Sequence, residues 1–311
     1  MFILGPFGPW SAPENLGPPV NTRYEESAPA QPDGHTIYFN RNFNNMNPNF
    51  PGKADEDLYV TSSAKGRTWS EPRPLDQLNM PTFNERNADF SRDARLLFFS
   101  SDRTGGSGGL DLYVSWRTDR HDDRAWSAPL NLGPTVNSSG GEVGPAYVED
   151  EAGLTVLYFT LNRGQGADIF RTQVIDPTGL RRDTNGDGKV DPGVFAPPVP
   201  FPELNSPAGD ARPAIRIDGL ELFFHSNRTP AQSACPDPSR PPSGGQDLWF
   251  STRASSTDPW SCPANLGSHV NTAANDIQAH LSDDAESLYY SGNRGDGLGM
   301  DDIWLIRREP L

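Results

Sequence analysis

The strongest constraint on this chain is that it repeats itself. The segment Trp10-Ser-Ala-Pro-Glu-Asn-Leu-Gly returns as Trp69-Ser-Glu-Pro, as Trp126-Ser-Ala-Pro-Leu-Asn-Leu-Gly and as Trp260-Ser-Cys-Pro-Ala-Asn-Leu-Gly, with a degraded copy at Phe195-Ala-Pro-Pro. Each copy is followed by an Asn (Asn21, Asn79, Asn137, Asn205, Asn271) and then an acid (Glu26, Glu85, Glu142, Asp210, Asp276). An apolar-aromatic run ending in Arg comes next (Arg41, Arg103, Arg163, Arg228, Arg294), then an acid-led triplet at Asp57, Asp111, Asp168, Asp247 and Asp302. A period that recurs five times fixes the architecture before any single residue is interpreted.

Each copy contains four short β-type stretches broken by Gly, Pro, Asn and Asp, and none has a helical period over a helix-sized window. In the first copy the strands are expected at Glu26 to Gln31, Thr36 to Arg41, Asp57 to Ser63 and Trp69 to Leu75. Four strands repeated radially make a blade, so the chain is expected to be an all-β, five-bladed β-propeller. It opens on the outer strand of a blade and closes on the third. Residues Trp10 to Leu16 should therefore complete the last blade and remove an open sheet edge. Residues 1–311 then form a single propeller domain, with an insertion at 176–198.

Composition narrows the partners. A net charge of -15 argues against nucleic acid and anionic membranes, which are met by clustered Lys and Arg. No apolar run approaches the roughly 18 residues of a membrane span. The opening Met-Phe-Ile-Leu-Gly has neither the basic flank nor the apolar length of a signal peptide. A monomer is expected.

The Pro-Asp-Gly turn, the aromatic second strand ending in Arg and the Asp-Leu-Tyr third strand resemble the TolB-like propeller-repeat family over residues 10–308. That resemblance implies the propeller fold. Its relatives serve as periplasmic scaffolds, protease accessory domains and sugar-acid lyases, so it implies no single activity.

The repeated charges read first as architecture, the hairpin Arg facing the third-strand Asp of its blade. The acids that start the inner strands can accept loop N–H groups or crowd one channel mouth. Departures from the repeat are more informative. Where other blades carry small residues on the inner strand, this chain has Asp89, Arg212, Gln278 and His280, a set able to clamp a small polar or carboxylated ligand.

Asp183, Asn185, Asp187, Lys189 (through its carbonyl) and Asp191 follow the donor spacing of EF-hand and dockerin loops, with Gly188 at the sharp turn, which points to structural Ca2+. Val194 stands where such loops carry a closing acid. Cys235 and Cys262 are compatible with one disulfide and hence with a periplasmic or secreted protein. No metal-binding His pair, nucleophile elbow or phosphate loop is found. The expected function is a non-catalytic propeller binding a small polar ligand, a glycan or a protein at the channel mouth. The alternatives are a glycan-active hydrolase or lyase using a channel-mouth carboxylate and histidine, and a purely structural spacer.

Overall fold

The computed structural model describes residues 6–43, 56–63, 68–150, 153–162, 166–233, 235, 239 and 241–311. Strand β1 (Glu14–Asn15) is set apart from the four that follow, β2 (Glu25–Ala30), β3 (Thr36–Asn42), β4 (Glu56–Ser62) and β5 (Arg73–Pro74), which pair in sequence order as blade 1. Blade 2 is β6 (Glu85–Phe90), β7 (Leu96–Ser101), β8 (Asp111–Trp116) and β9 (Leu130–Asn131). Blade 3 is β10 (Gly141–Glu149), β11 (Thr155–Asn162), β12 (Ala167–Gln173) and β13 (Val199–Pro200). Blade 4 is β14 (Asp210–Ile215), β15 (Glu221–Ser226), β16 (Asp247–Thr252) and β17 (Ala264–Asn265). Blade 5 is β18 (Asp276–Leu281), β19 (Ser287–Gly292) and β20 (Asp302–Arg307), completed by β1.

The ring closes as the phase of the repeat requires: Glu14 pairs with Leu305 and Asn15 with Trp304. Asn21, just after β1, ties the seam by bonding both the N–H and the carbonyl of Ile303. Outer strands pair over only two residues, because Pro in the Trp-Ser-x-Pro segment has no N–H to give a ladder. The second strands are buried along their length, since both faces meet a neighbouring sheet. The core is accordingly not central. Apolar side chains collect in five clusters, each filling a seam between adjacent blades.

The repeated charges pair differently from expectation. Arg41 Nε lies 2.8 Å from Glu26 and Arg103 3.1 Å from Glu85, while Arg228 contacts Asp210 and Arg294 lies 2.9 Å from Asp276. The partner is thus the acid that opens the inner strand and not the third-strand Asp. Arg163 lies outside the described residues. The reason is reach: one guanidinium spans both that acid and a carbonyl of the preceding loop, Val20 for Arg41 and Leu78 for Arg103. The third-strand Asp111, Asp247 and Asp302 instead gather a loop N–H and an outer-strand Asn, as Asp247 does with Ser243 and Asn265. The inner-strand acids also accept loop N–H groups, for example Glu26 from Thr22 and Glu85 from Met80. They are scaffold.

Candidate functional site

Every inner strand carries a bulge three residues in, and the bulged residue sits in the left-handed region: Ala28, Asn87, Gly144, Arg212 and Gln278, with φ between 49° and 60°. The bulge turns one N–H outward to a polar side chain on the second strand of the preceding blade. Ala28 donates to Ser291, Asn87 to Asn40, Arg212 to Thr160 and Gln278 to His225 Nδ1. His225 is consumed by this task, and burial pushes its pKa down to about 3, so the ring is neutral.

The bulged residues line the central channel, joined in blades 2, 4 and 5 by the residue two positions on, and Asp89, Arg212, Gln278 and His280 do converge there. Asn87, which occupies in blade 2 the place of Arg212 in blade 4, belongs to the same lining. Sequence reasoning passed over it, although its offset of two from Glu85 equals that of Arg212 from Asp210. Gly144 makes the room: a Cβ there would lie 2.5 Å from Arg212 Cδ. Arg212 Nη1 and Asn87 Oδ1 are buried without a hydrogen-bond partner. Burial holds the Arg212 pKa down to about 10, which leaves it charged at neutral pH. The cavity among these residues is about 30 Å³, room for ~2 ordered waters. A larger ligand must approach from a mouth.

At the exit mouth, where the inner strands end, a second cavity of about 50 Å³ is bordered by Asp89, Arg92, Glu149, His280 and Asp283. Asp89 Oδ1 lies 3.8 Å from His280 Nδ1, beyond direct bonding distance, and Oδ2 accepts the Tyr147 N–H at 2.7 Å. His280 Nε2 faces the Gln31 carbonyl at 3.3 Å, and a carbonyl can only accept, so Nε2 carries the proton and Nδ1 offers its lone pair to the channel. Burial lowers the His280 pKa to about 4 and raises that of Asp89 to about 7. Asp283 is raised to about 6 by burial and by Asp284, against the pull of Arg92 and Arg120.

The entry mouth holds a different acid set. Glu25 is pushed up to about 7 by burial and by Glu56 and Asp301, while Glu56 is ion-paired with Arg86 at 2.6 Å.

The insertion expected to hold a cation sits on the outside of the ring. A 3₁₀ turn (Pro177–Arg181) leads into it, and the loop lays Val190 against the outer edge of blade 2, where Val190 N–H bonds Asn131 and Asn131 N–H bonds Gly188. Asp183 accepts the N–H groups of Gly186, Asp187 and Gly188, and Asp191 accepts from Thr184. Among the described residues no three His, Cys, Asp or Glu side chains are grouped as a metal site needs. Cys235 and Cys262 are joined in a disulfide. No described helix is long and apolar enough to cross a membrane.

No family model matches the chain, and no curated protein is similar to it. Solved structures share its fold over nearly its whole length. A GH62 hydrolase in complex with xylotriose covers 99% of this chain and 99% of its own at a TM-score of 0.56 and 12% identity. A thermostable family-43 glycoside hydrolase covers 94% and 91% at 0.56 and 11% identity. The native arabinanase of Bacillus subtilis covers 94% and 95% at 0.54 and 13% identity. At such identities the likeness establishes the five-bladed propeller. It also corrects two expectations: the similar structures are glycoside hydrolases and not TolB-like repeats, and they give no support to a non-catalytic binding module.

Proposed function

We propose that this protein is a glycan-active hydrolase that works at the exit mouth of its channel. The observation that carries the reading is that two carboxyls, Asp89 and Asp283, border one cavity at the exit mouth, both with raised pKa values. Glycoside hydrolysis needs an uncharged acid to protonate the leaving oxygen and a charged carboxylate to act as base or nucleophile. Asp89, with a pKa near 7, retains its proton well into the neutral range. Asp283, near 6 and facing Arg92 and Arg120, is mostly ionised at pH 7. Neutral His280, with Nδ1 3.8 Å from Asp89 Oδ1, adds no positive charge that would draw the proton off Asp89. The structural neighbours include arabinanases and a xylotriose complex, so arabinan and xylan oligosaccharides are the first substrates to try.

The test is release of reducing sugar by the wild type and by Asp89→Asn, Asp283→Asn and Glu25→Gln. Loss of roughly 10²-fold or more in kcat for the first two, with unchanged melting, is the expected result. Retained activity in both with loss in Glu25→Gln moves the chemistry to the entry mouth. No turnover on any arabinan, xylan or related glycan refutes the reading.

Two supporting features belong to the same proposal. Calcium is proposed to draw Asp183, Asn185, Asp187, Asp191 and the Lys189 carbonyl together, pinning the insertion against blade 2. Action in the periplasm or outside the cell is proposed on the Cys235–Cys262 bond.

A further inference from the structure

The bulged residues Ala28, Asn87, Gly144, Arg212 and Gln278, one from each blade, ring the channel around its central cavity. Two of them are small, two are neutral amides, and Arg212 alone carries charge. Its side chain leans across blade 3, in the room that Gly144 leaves. Its Nη1 is buried without a hydrogen-bond partner, and among the described residues no acid comes within ion-pair reach of its guanidinium.

The acids around it have other tasks. Glu56 is held by Arg86 at 2.6 Å, and Asp89 Oδ2 accepts the Tyr147 N–H. After burial, the charge that acts most on Arg212 is the repulsive one of Arg86, ahead of the attraction of Glu56. The chain therefore places a cation on its axis and gives it no counterion.

The two amides turn donors toward the same cavity. Gln278 Oε1 accepts the Ala28 N–H and the Ser291 hydroxyl, each at 3.1 Å. A main-chain N–H can only donate, so the Gln278 amide is fixed in that sense and its Nε2 hydrogens are left for the channel. Asn87 Oδ1 is buried and unpartnered. A side-chain amide can turn over about its last bond and exchange that oxygen for the nitrogen, which gives Asn87 two N–H groups to offer in the same place.

We propose that the centre of the channel binds a small inorganic anion, chloride or another halide, on Arg212 with the Gln278 and Asn87 amides as further donors. A charge taken out of water without a countercharge is costly. Water would satisfy the N–H groups and leave the charge uncompensated. A bare halide is close to water in size, accepts from several donors at once and has no hydrogen to place, which suits a ring of donors around one cation. The cavity of about 30 Å³ has room for ~2 waters, enough for one such ion pressed against its walls and too little for sulfate, phosphate or a sugar. Arg212 itself repels a cation from this ring.

The test is diffraction from crystals of the full chain grown in sodium bromide, read at the bromine absorption edge, with the line width of the chloride magnetic resonance signal followed in solution. A bromide peak bounded by Asn87, Arg212 and Gln278 is expected, together with a chloride line broadened by the protein and narrowed again by bromide. Arg212→Met should lose both signals. Gln278→Glu keeps an acceptor for the Ala28 N–H but sets a carboxylate toward Arg212, so it should also release the ion, and it serves whether or not Arg212→Met folds. Bromide on the outer surface only, which is an adventitious ion only, overturns the proposal. So does water or a metal cation between the three residues, or a halide signal unchanged in either folded variant. Neither readout uses turnover, so the outcome stands apart from whether the chain cleaves glycans.

Discussion

The Asp89 carboxylate and the His280 imidazole face each other at 3.8 Å although they come from blades 2 and 5, with the inner strand of blade 1 between them. Each is held in its uncharged form more readily than in water, the acid by a raised pKa and the base by a lowered one.

Opposite contributions to stability follow. The folded state keeps a proton on Asp89 up to about pH 7, while the unfolded chain loses it near the ordinary value of 3.8, so this group makes stability fall as pH rises between those limits. His280 acts the other way: the unfolded chain takes up a proton below about 6.5 and the folded one only near 4, so stability is lost as pH falls through that window. Urea melts of Asp89→Asn should exceed the wild type at pH 8 and approach it at pH 4. Those of His280→Gln should lose less stability than the wild type between pH 6.5 and 4.

His225→Leu should cost about 1–3 kcal/mol, the penalty for leaving the Gln278 N–H unpartnered in a buried seam. The same substitution should loosen the Gln278 bulge, which amide exchange at that residue would register. A loss within 0.5 kcal/mol would mean that the bulge does not need the bond.

Removing residues 1–17 takes away the Glu14–Asn15 pairing and the packing of Trp10 beneath Arg308. A sharply lower melting temperature is expected, because the ring is left with an exposed strand edge and an unfilled seam. Thermal denaturation of the truncated chain checks this.

Calcium should bind the chelator-treated wild-type chain and not chelator-treated Asp187→Ala, as followed by calorimetry. Proteolysis within residues 178–198 should speed up on chelation while the blades stay folded, since the loop rests on the rim of blade 2 through Val190 and the Asn131 ladder.

Unreduced protein should show no alkylated cysteine by mass spectrometry. Cys262→Ser should cost up to about 3.5 kcal/mol, the entropy of freeing a loop with a 27-residue separation.

The blades were legible because their marks are local and repeated: a Trp, an Asn, an acid and an Arg at fixed offsets, with Pro limiting the outer strand. The pairing of Arg41 was not, because a guanidinium chooses among acids by three-dimensional reach. Asp89, Arg212, Gln278 and His280 stood out as breaks in the pattern, and the inner-strand bulge is what brings them together. Asn87 was missed because an amide differs little in kind from its small polar neighbours. Asp283 was missed because it sits in a turn where acids are routine.

The bulge separates two jobs that a regular strand would confuse. Registration between sheets depends on a main-chain N–H, which every residue but proline has, while the side chain at the same position projects into the channel. Exchanging Ala28, Asn87 or Arg212 therefore need not disturb how the sheets are indexed, whereas the Gln278 side chain also accepts the Ala28 N–H and the Ser291 hydroxyl. Drift in sequence can repaint the interior one position at a time, on a frame that does not register the change.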